Sequence, residues 1–339
     1  MKLSIVVPCF NEEACLGELH RRLSAAARDA AGDDYELVLV NDGSRDASWP
    51  AMRAMAAEDS HVVAVNLSRN HGHQLALTAG LDLCRGDTIL IIDADLQDPP
   101  ELLPSMLAAM READADVVYG VRKSRAGETA FKRATAHGFY RLLSRATEVD
   151  IPLDAGDFRL MSRRALDALL AMPEQARFIR GMVAWIGFRQ VPFAYDRAER
   201  FAGSTKYPLK KMMRFALDAL TGFSSAPLKL ASHAGLWLSL GSVLLIIYIA
   251  YAWIAGQSIQ GWTSLMLVVV VLGAIQMFVL ALQGEYIGRL YNEAKRRPLY
   301  IVQEVAGGSA APADARLGYL ASATANSDKP GGKGKRPTR

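Results

Sequence analysis

No Asp, Glu, Lys or Arg occurs between Lys229 and Glu285, and no other feature narrows the chain's options so far. Within that stretch, Leu236 to Ile254 and Thr263 to Leu282 are two apolar runs. At ~1.5 Å rise per residue each would make a helix of roughly 30 Å, the thickness of one hydrocarbon core. A pair of buried core helices is the alternative, but two uncharged runs in succession fit membrane spans better. Trp237, Trp253 and Trp262 lie near the run ends, where interfacial aromatic residues belong. Lys210, Lys211, Arg214 and Lys229 precede the first run, Arg289, Lys295, Arg296 and Arg297 follow the second, and the link Gly256 to Gly261 is uncharged. Under the positive-inside rule both flanks, and with them both termini, face the cytoplasm.

The rest of the chain reads differently. A whole-chain mean hydropathy of +0.09 averages the apolar runs with residues 1–207, which have the composition of a soluble domain. There, Leu3 to Val7, Tyr35 to Asn41, Val62 to Asn66, Thr88 to Ile92 and Asp116 to Gly120 are expected strands. Glu12 to Arg28, Asp46 to Asp59, Gln74 to Cys84 and Glu101 to Glu112 have helical periodicity. This alternation predicts a parallel, Rossmann-like α/β sheet covered on both faces. Residues 208–230 mix lysines with Met212, Met213, Phe215 and Phe223, the pattern of interfacial helices reaching lipid headgroups. The remaining expected boundaries are 231–256 and 262–284 for the spans, 285–305 for a cytoplasmic juxtamembrane segment and 306–339 for a disordered tail.

Charge and cysteine content exclude some classes. The net charge of +4 is carried by the tail, where Arg316, Lys329, Lys333, Lys335, Arg336 and Arg339 outnumber Asp314 and Asp328. The remainder is neutral and has no nucleic-acid footprint. Cys9, Cys15 and Cys84 form no C-x-x-C pair, which suits a reducing compartment. Leu3 to Val7 is too short for a signal-peptide core.

Ligands of such sheets sit beyond the carboxyl ends of the strands, and the polar residues gather there. Asp93-Ala94-Asp95-Leu96-Gln97 leaves an apolar strand with two carboxylates at i and i+2 and an amide oxygen at i+4. That donor set suits Mg²⁺, which binds through one or two carboxylates and leaves places for water and substrate phosphate. Asp98 reads as a cap of the following helix. Asn41-Asp42-Gly43-Ser44 also ends a strand, and either ligand contact or a plain capped turn accounts for it. His71 and His73 read as a polar loop rather than a metal site. G-x-G-x-x-G and P-loop motifs are absent from the sequence.

Val7-Pro8-Cys9-Phe10-Asn11-Glu12-Glu13, Asn41-Asp42-Gly43-Ser44 and Asp93-Ala94-Asp95-Leu96-Gln97-Asp98-Pro99 together resemble the nucleotide-sugar half of family 2 glycosyltransferases, which have the GT-A fold. Asp154-Ala155-Gly156-Asp157-Phe158-Arg159-Leu160, Arg197-Ala198-Glu199-Arg200, Gly203-Ser204-Thr205-Lys206-Tyr207 and Gly284-Glu285-Tyr286-Ile287-Gly288-Arg289 are similar to the bacterial polyisoprenyl-phosphate glycosyltransferases, above all the bactoprenol glucosyltransferases, relatives of dolichyl-phosphate mannose synthase. The resemblance implies a UDP-sugar donor near Pro8, Asn11, Glu13, Asp42 and Asp93. It implies Mg²⁺ or Mn²⁺ on Asp93, Asp95 and Gln97, with Asp95 and Asp157 as the catalytic carboxylates. The acceptor would be undecaprenyl phosphate, held by Arg122, Lys132, Arg133, Arg200 and Lys206.

The implied reaction is inverting transfer of a hexose, glucose first, at the inner (plasma) membrane, supplying cell-envelope glycan such as lipopolysaccharide. The implied assembly is a homotetramer. Aminoarabinose-type, mannose, galactose or N-acetylhexosamine donors are the alternatives, as is a non-catalytic flippase or scaffold. A processive polysaccharide synthase would need a Q-x-x-R-W motif, which the sequence lacks.

Overall fold

The structure, a computed structural model, describes residues 2–122, 155–196, 226–255 and 261–307. They divide into two units, one formed by 2–122, 155–196 and 298–307, the other by 226–255 and 261–297.

The first unit is built on an eight-stranded sheet. Its strands are β1 (Leu3–Cys9), β2 (Tyr35–Asn41), β3 (Val62–Leu67), β4 (Thr88–Ile91), β5 (Val117–Arg122), β6 (Ala155–Ser162), β7 (Gln190–Tyr195) and β8 (Val302–Gly307), in the order β7-β5-β6-β4-β1-β2-β3-β8. Helices α1 (Glu13–Ala31), α2 (Ser48–Glu58), α3 (His73–Leu83) and α4 (Leu103–Glu112) follow the first four strands, the last behind a 3₁₀ turn at Pro100–Leu102. Helices α5 (Arg163–Ala171) and α6 (Ile179–Trp185) lie between β6 and β7. Every residue of β1 and β2 is buried, as continuous apolar strands under two helical layers must be. Helix α1 buries Leu16, Leu19, Leu23 and Ala27, one stripe at three- and four-residue spacing.

Pairing departs from the expected all-parallel sheet. β1, β2, β3 and β4 are parallel neighbours, and β5 is parallel to β7, but β6 runs antiparallel to both β4 and β5, and β8 antiparallel to β3. The βαβ repetition that argues for parallel pairing stops at β5. β6 enters in reverse between two parallel strands, with Phe158 and Leu160 filling the core there. Its reversal carries its first residues to the edge where β4 and β5 end, which places the candidate site.

The juxtamembrane segment also differs from expectation, because its final residues join the sheet. β8 pairs with β3, the Ser68 amide donates to the Ile301 carbonyl at 2.9 Å, and the Tyr300 hydroxyl donates to Asp82 at 2.7 Å. Val302 is the buried anchor of this strand.

The second unit contains α7 (Ala226–Ile254) and α8 (Trp262–Ala294), each covering one of the uncharged runs. Among the described residues one helical stretch, Val268–Ala294, is long and apolar enough to cross a membrane, and none of it is buried. α8 continues beyond Glu285 for a further two turns or so, where Arg289 pairs with Glu285 at 3.2 Å. Residues 207–225, most of the expected interfacial helices, and the tail from 308 lie outside the described residues.

Candidate active site

The first two loops of the carboxyl edge are stitched together. The Asn11 amide donates to Ser44 Oγ at 2.9 Å, and Asn11 Oδ1 accepts from the Arg45 amide at 2.9 Å. Glu13 accepts from the Ala47 amide at 3.1 Å, and the Glu12 amide donates to Ser48 Oγ at 2.9 Å. Asn11 holds φ 58°, a left-handed conformation that asparagine tolerates better than most residues. Pro8 lies in β1 just beyond Val6, the last residue paired with β4, so its missing N–H leaves no ladder bond open there.

Asp42 is 3% exposed, and its two oxygens accept from the His71 amide at 2.7 Å and the Gly72 amide at 3.0 Å. Burial raises its pKa despite those bonds. Gly43 has φ 64°, and a Cβ there would stand 2.5 Å from the backbone of Arg69 and Asn70. The Asn41-Asp42-Gly43-Ser44 motif thus brings the loops after β2 and β3 to van der Waals contact, which only glycine permits.

The chemical centre lies at the ends of β4 and β6. Ile91 pairs with Arg159 in antiparallel register, and the same register two residues on sets Asp93 opposite Asp157. His73, in the first turn of α3, stands between these carboxylates: its Nε2 is 3.2 Å from Asp157 Oδ2 and 3.5 Å from Asp93 Oδ1. An ionised carboxylate only accepts, so Nε2 donates. Gln74 Nε2 donates to Asp157 Oδ2 at 3.2 Å, while Gln74 Oε1 accepts from the Ile179 amide at 3.0 Å. Gln74 thereby ties the start of α6 to the site. From that helix Arg180 Nε donates to Asp157 Oδ1 at 2.8 Å.

Asp157 is 6% exposed, whereas His73 and Arg180 are 43% and 33% exposed, so a buried anion is flanked by an imidazole and a guanidinium that are partly open to solvent. Burial by itself would raise the Asp157 pKa, but the His73 hydrogen bond and the Arg180 charge and hydrogen bond together hold it far below the usual carboxylate range. His73 is raised in turn: burial opposes its charge, and the hydrogen bond to Asp157 and the Asp93 charge outweigh it. Arg159 is buried beneath, donating from Nη2 to the Gly156 carbonyl at 3.0 Å, with its pKa lowered to about 10 by burial.

Asp93 is under opposite stress. Burial, followed by the nearby charges of Asp157, Asp98 and Asp95, raises its pKa to about 6, although His73 opposes the shift. Its Oδ1 is buried and makes no hydrogen bond. In the same loop the Gln97 amide donates to Asp95 Oδ1 at 3.2 Å, and Leu96 holds φ 57° with its side chain buried. A buried carboxylate oxygen that makes no hydrogen bond, in a turn of hard donors, fits a divalent cation. Among the described residues no three His, Cys, Asp or Glu side chains are grouped so as to hold a metal ion. Asp98 turns out to be buried, accepting from the Tyr195 hydroxyl rather than acting as an exposed cap.

Arg122, at the end of β5, reaches to Gly156: its Nη2 would stand 3.5 Å from a Cβ placed there. Its Nε is buried and without a hydrogen-bond partner. Lys132, Arg133, Arg200 and Lys206 lie outside the described residues. The structure therefore gathers Asp93, Asp95, Gln97, Asp157 and Arg122 at one edge, with Asn11, Glu13 and Asp42 in the adjoining loop network. It also adds His73, Gln74, Arg159 and Arg180. His73 is not the loop residue expected, because it opens α3 facing Asp157. The H-x-H pattern was its only visible signal, and nothing near Arg180 in the sequence distinguishes it from a surface cation.

Residues 4–170 match the family model described as glycosyl transferase family 2. Over 308 residues the chain is 47% identical to the uncharacterized glycosyltransferase YkcC of Bacillus subtilis, covering 91% of this chain and 95% of that protein. The chain belongs to glycosyltransferase family 2. Another relative in this family is the prophage bactoprenol glucosyl transferase homolog of Escherichia coli, 39% identical over 90% of this chain and 99% of its own length. Among solved structures, glucosyl-3-phosphoglycerate synthase of Mycobacterium tuberculosis, in complex with Mn²⁺, UDP-glucose and phosphoglyceric acid, is 21% identical with a TM-score of 0.43, covering 65% of this chain and 77% of that one. As a family 2 member the protein is a transferase, and the carboxyl edge of its mixed sheet is its candidate active site.

Proposed function

We propose that this glycosyltransferase moves a hexose, glucose first, from a UDP-sugar to undecaprenyl phosphate at the cytoplasmic face of the bacterial inner membrane, inverting the anomeric centre. The observation that carries this reading is the near full-length similarity to the Escherichia coli bactoprenol glucosyl transferase homolog, which extends well beyond the sheet into the region of the helical unit. A transferase that joins a soluble donor to a membrane lipid needs both parts.

The basic residues on both flanks of the helical pair, with an uncharged link between the two apolar runs, support two spans with both flanks cytoplasmic.

In this reading Asp93, Asp95 and Gln97 hold Mg²⁺ or Mn²⁺, and the ion supplies Lewis-acid neutralisation of the departing diphosphate. Pro8, Asn11, Glu13 and Asp42 form and support the nucleotide wall. The acceptor phosphate, with a second pKa near ~6 by analogy with phosphorylated side chains, is largely anionic at neutral pH and needs little help in losing a proton. Asp157 correspondingly is no proton acceptor: a carboxylate held ionised by His73, Gln74 and Arg180 is a weak base. It serves as a fixed anion that orders the cations around it. A phosphate oxygen attacks the anomeric carbon as the bond to the diphosphate breaks, which inverts the centre. Arg122, together with Lys132, Arg133, Arg200 and Lys206, completes the acceptor side, and the homotetramer stays part of the proposal.

The assay is direct. Full-length protein is incubated with labelled UDP-glucose, Mg²⁺ or Mn²⁺ and undecaprenyl phosphate, beside Asp95→Asn and Asp157→Ala. Label passes into lipid with the wild type and falls at least about 100-fold in both variants. Equal label in all three would remove the assigned roles, and no label with any UDP-sugar would remove the function.

A further inference from the structure

Two polyanions must meet in this site, a donor diphosphate and an acceptor phosphate, and the two oxygens of Asp157 face different partners. Oδ2 receives His73 and Gln74, and His73 also reaches Asp93, so this side adjoins the Asp93 and Asp95 loop. Oδ1 receives Arg180 alone among the described hydrogen bonds to it. In-line displacement puts the nucleophile across the anomeric carbon from the leaving group. If the diphosphate lies over Asp93 and Asp95, the nucleophile belongs on the side of Oδ1.

We propose that Arg180 is an acceptor-phosphate residue, set in place by its ion pair with Asp157 and by the Gln74 link to the Ile179 amide. This rests on the reading of the protein as a lipid-phosphate glycosyltransferase. The arginine suits the task in three respects. It keeps its charge at all working pH values, its planar fork matches two phosphate oxygens, and a third of its side chain is open to solvent although Nε is engaged. The Asp157 pair fixes the guanidinium from behind, so little side-chain entropy is lost when the phosphate arrives. Gln74 makes the geometry specific. Its amide oxygen accepts from the backbone one residue before Arg180, while its nitrogen donates to the same carboxylate that Arg180 binds, so α3, β6 and α6 converge on one anion.

A purely structural ion pair would give a different kinetic pattern, which the test exploits. Full-length wild type, Arg180→Lys and Arg180→Ala are reconstituted in nanodiscs. Undecaprenyl phosphate is titrated at saturating UDP-glucose, and UDP-glucose at saturating lipid. Arg180→Ala should raise the KM for lipid phosphate about tenfold or more and leave the KM for UDP-glucose within about twofold. Arg180→Lys, which keeps the charge without the fork, should fall between. An unchanged acceptor KM, or a donor KM that rises in step, would overturn the proposal. So would a fall confined to kcat. Should Arg180→Ala fail to fold, Arg180→Lys is read in the same way.

A second measurement separates this inference from the functional reading. Dodecyl phosphate should raise the melting temperature of the wild type and of Arg180→Lys more than that of Arg180→Ala, with dodecanol as the uncharged control. If the wild type transfers no sugar but this pattern holds, the function falls and the anion site stands. If transfer occurs and the phosphate-dependent shift is equal in all variants, the function stands and the Arg180 site falls.

Discussion

The two edges of the sheet each bury a polar cluster, and the clusters are built on opposite terms. At the amino edge Ser4 Oγ donates to Glu36 at 2.6 Å and accepts from the Gly86 amide at 2.6 Å. Arg163 closes this network on the carbonyls of Gly86 and Cys84 at 2.9 and 3.0 Å. Backbone groups do most of the pairing there, so the cluster fixes where strands begin. At the carboxyl edge charged side chains face one another, Asp93 Oδ1 and Arg159 Nε have no hydrogen-bond partner, and the Asp93 pKa is pushed up to about 6. Saturated polar networks hold a fold together, while unsaturated ones leave room for a ligand to supply the missing partner.

That contrast can be broken from either side. The largest effect expected is on the carboxyl edge: Asp95→Asn, which keeps the side-chain oxygen that accepts from the Gln97 amide, should cost about 100-fold or more in transfer rate while shifting the melting temperature only modestly, in a lipid-linked sugar assay beside a thermal melt. The reverse pattern is expected at the amino edge. Glu36→Ala removes the acceptor of the Ser4 hydroxyl and of the Arg85 amide, and urea titration should show a loss of about 2–3 kcal/mol with transfer per folded molecule unchanged. Gly80→Ala tests the rigidity of the layer between the edges. A Cβ there would stand 2.4 Å from Val6 Cγ1 and 2.9 Å from Val40 Cγ2, so a loss of about 1–3 kcal/mol is expected by the same titration.

A smaller effect, of opposite sign, is expected at Asp93. Its folded pKa of about 6 lies above the ordinary 3.8, so its ionisation costs stability. That cost is absent below the ordinary value, grows as pH rises and is complete above the folded one. Asp93→Asn should therefore stabilise the metal-free protein by about 1 kcal/mol at pH 8, and the gain should disappear by pH 4. Melting curves across pH read this directly. The smallest effect is that of Arg289→Ala, whose exposed partner Glu285 lies one turn away: about 0.5 kcal/mol or less in the same melts.

Much of this was legible in the residues. Continuous apolar strands alternating with amphipathic helices identified β1 to β5 and their layering, because burial on two faces leaves an unmistakable pattern. The Asp93-Ala94-Asp95 turn announced itself by carboxylate spacing after a strand. What the pattern does not encode is pairing direction. β6 carries no mark of being antiparallel, yet its reversal is why Asp157 faces Asp93. Arg180 and Gln74 were hidden for a related reason: they reach Asp157 from helices far off in sequence, and tertiary approach leaves no local period. β8 was absorbed into the juxtamembrane stretch because a short edge strand with one buried face has too few residues to announce itself.

The proposed reaction is a single displacement onto lipid phosphate, with Asp157 as a fixed anion and no covalent enzyme intermediate. The most direct measurement is NMR of the lipid product made by the full-length protein from UDP-α-glucose and undecaprenyl phosphate. One glucose per lipid is expected, its β anomeric carbon bonded to an oxygen of the lipid phosphate. An α-linked product, or glucose released into water with no lipid product, would contradict it.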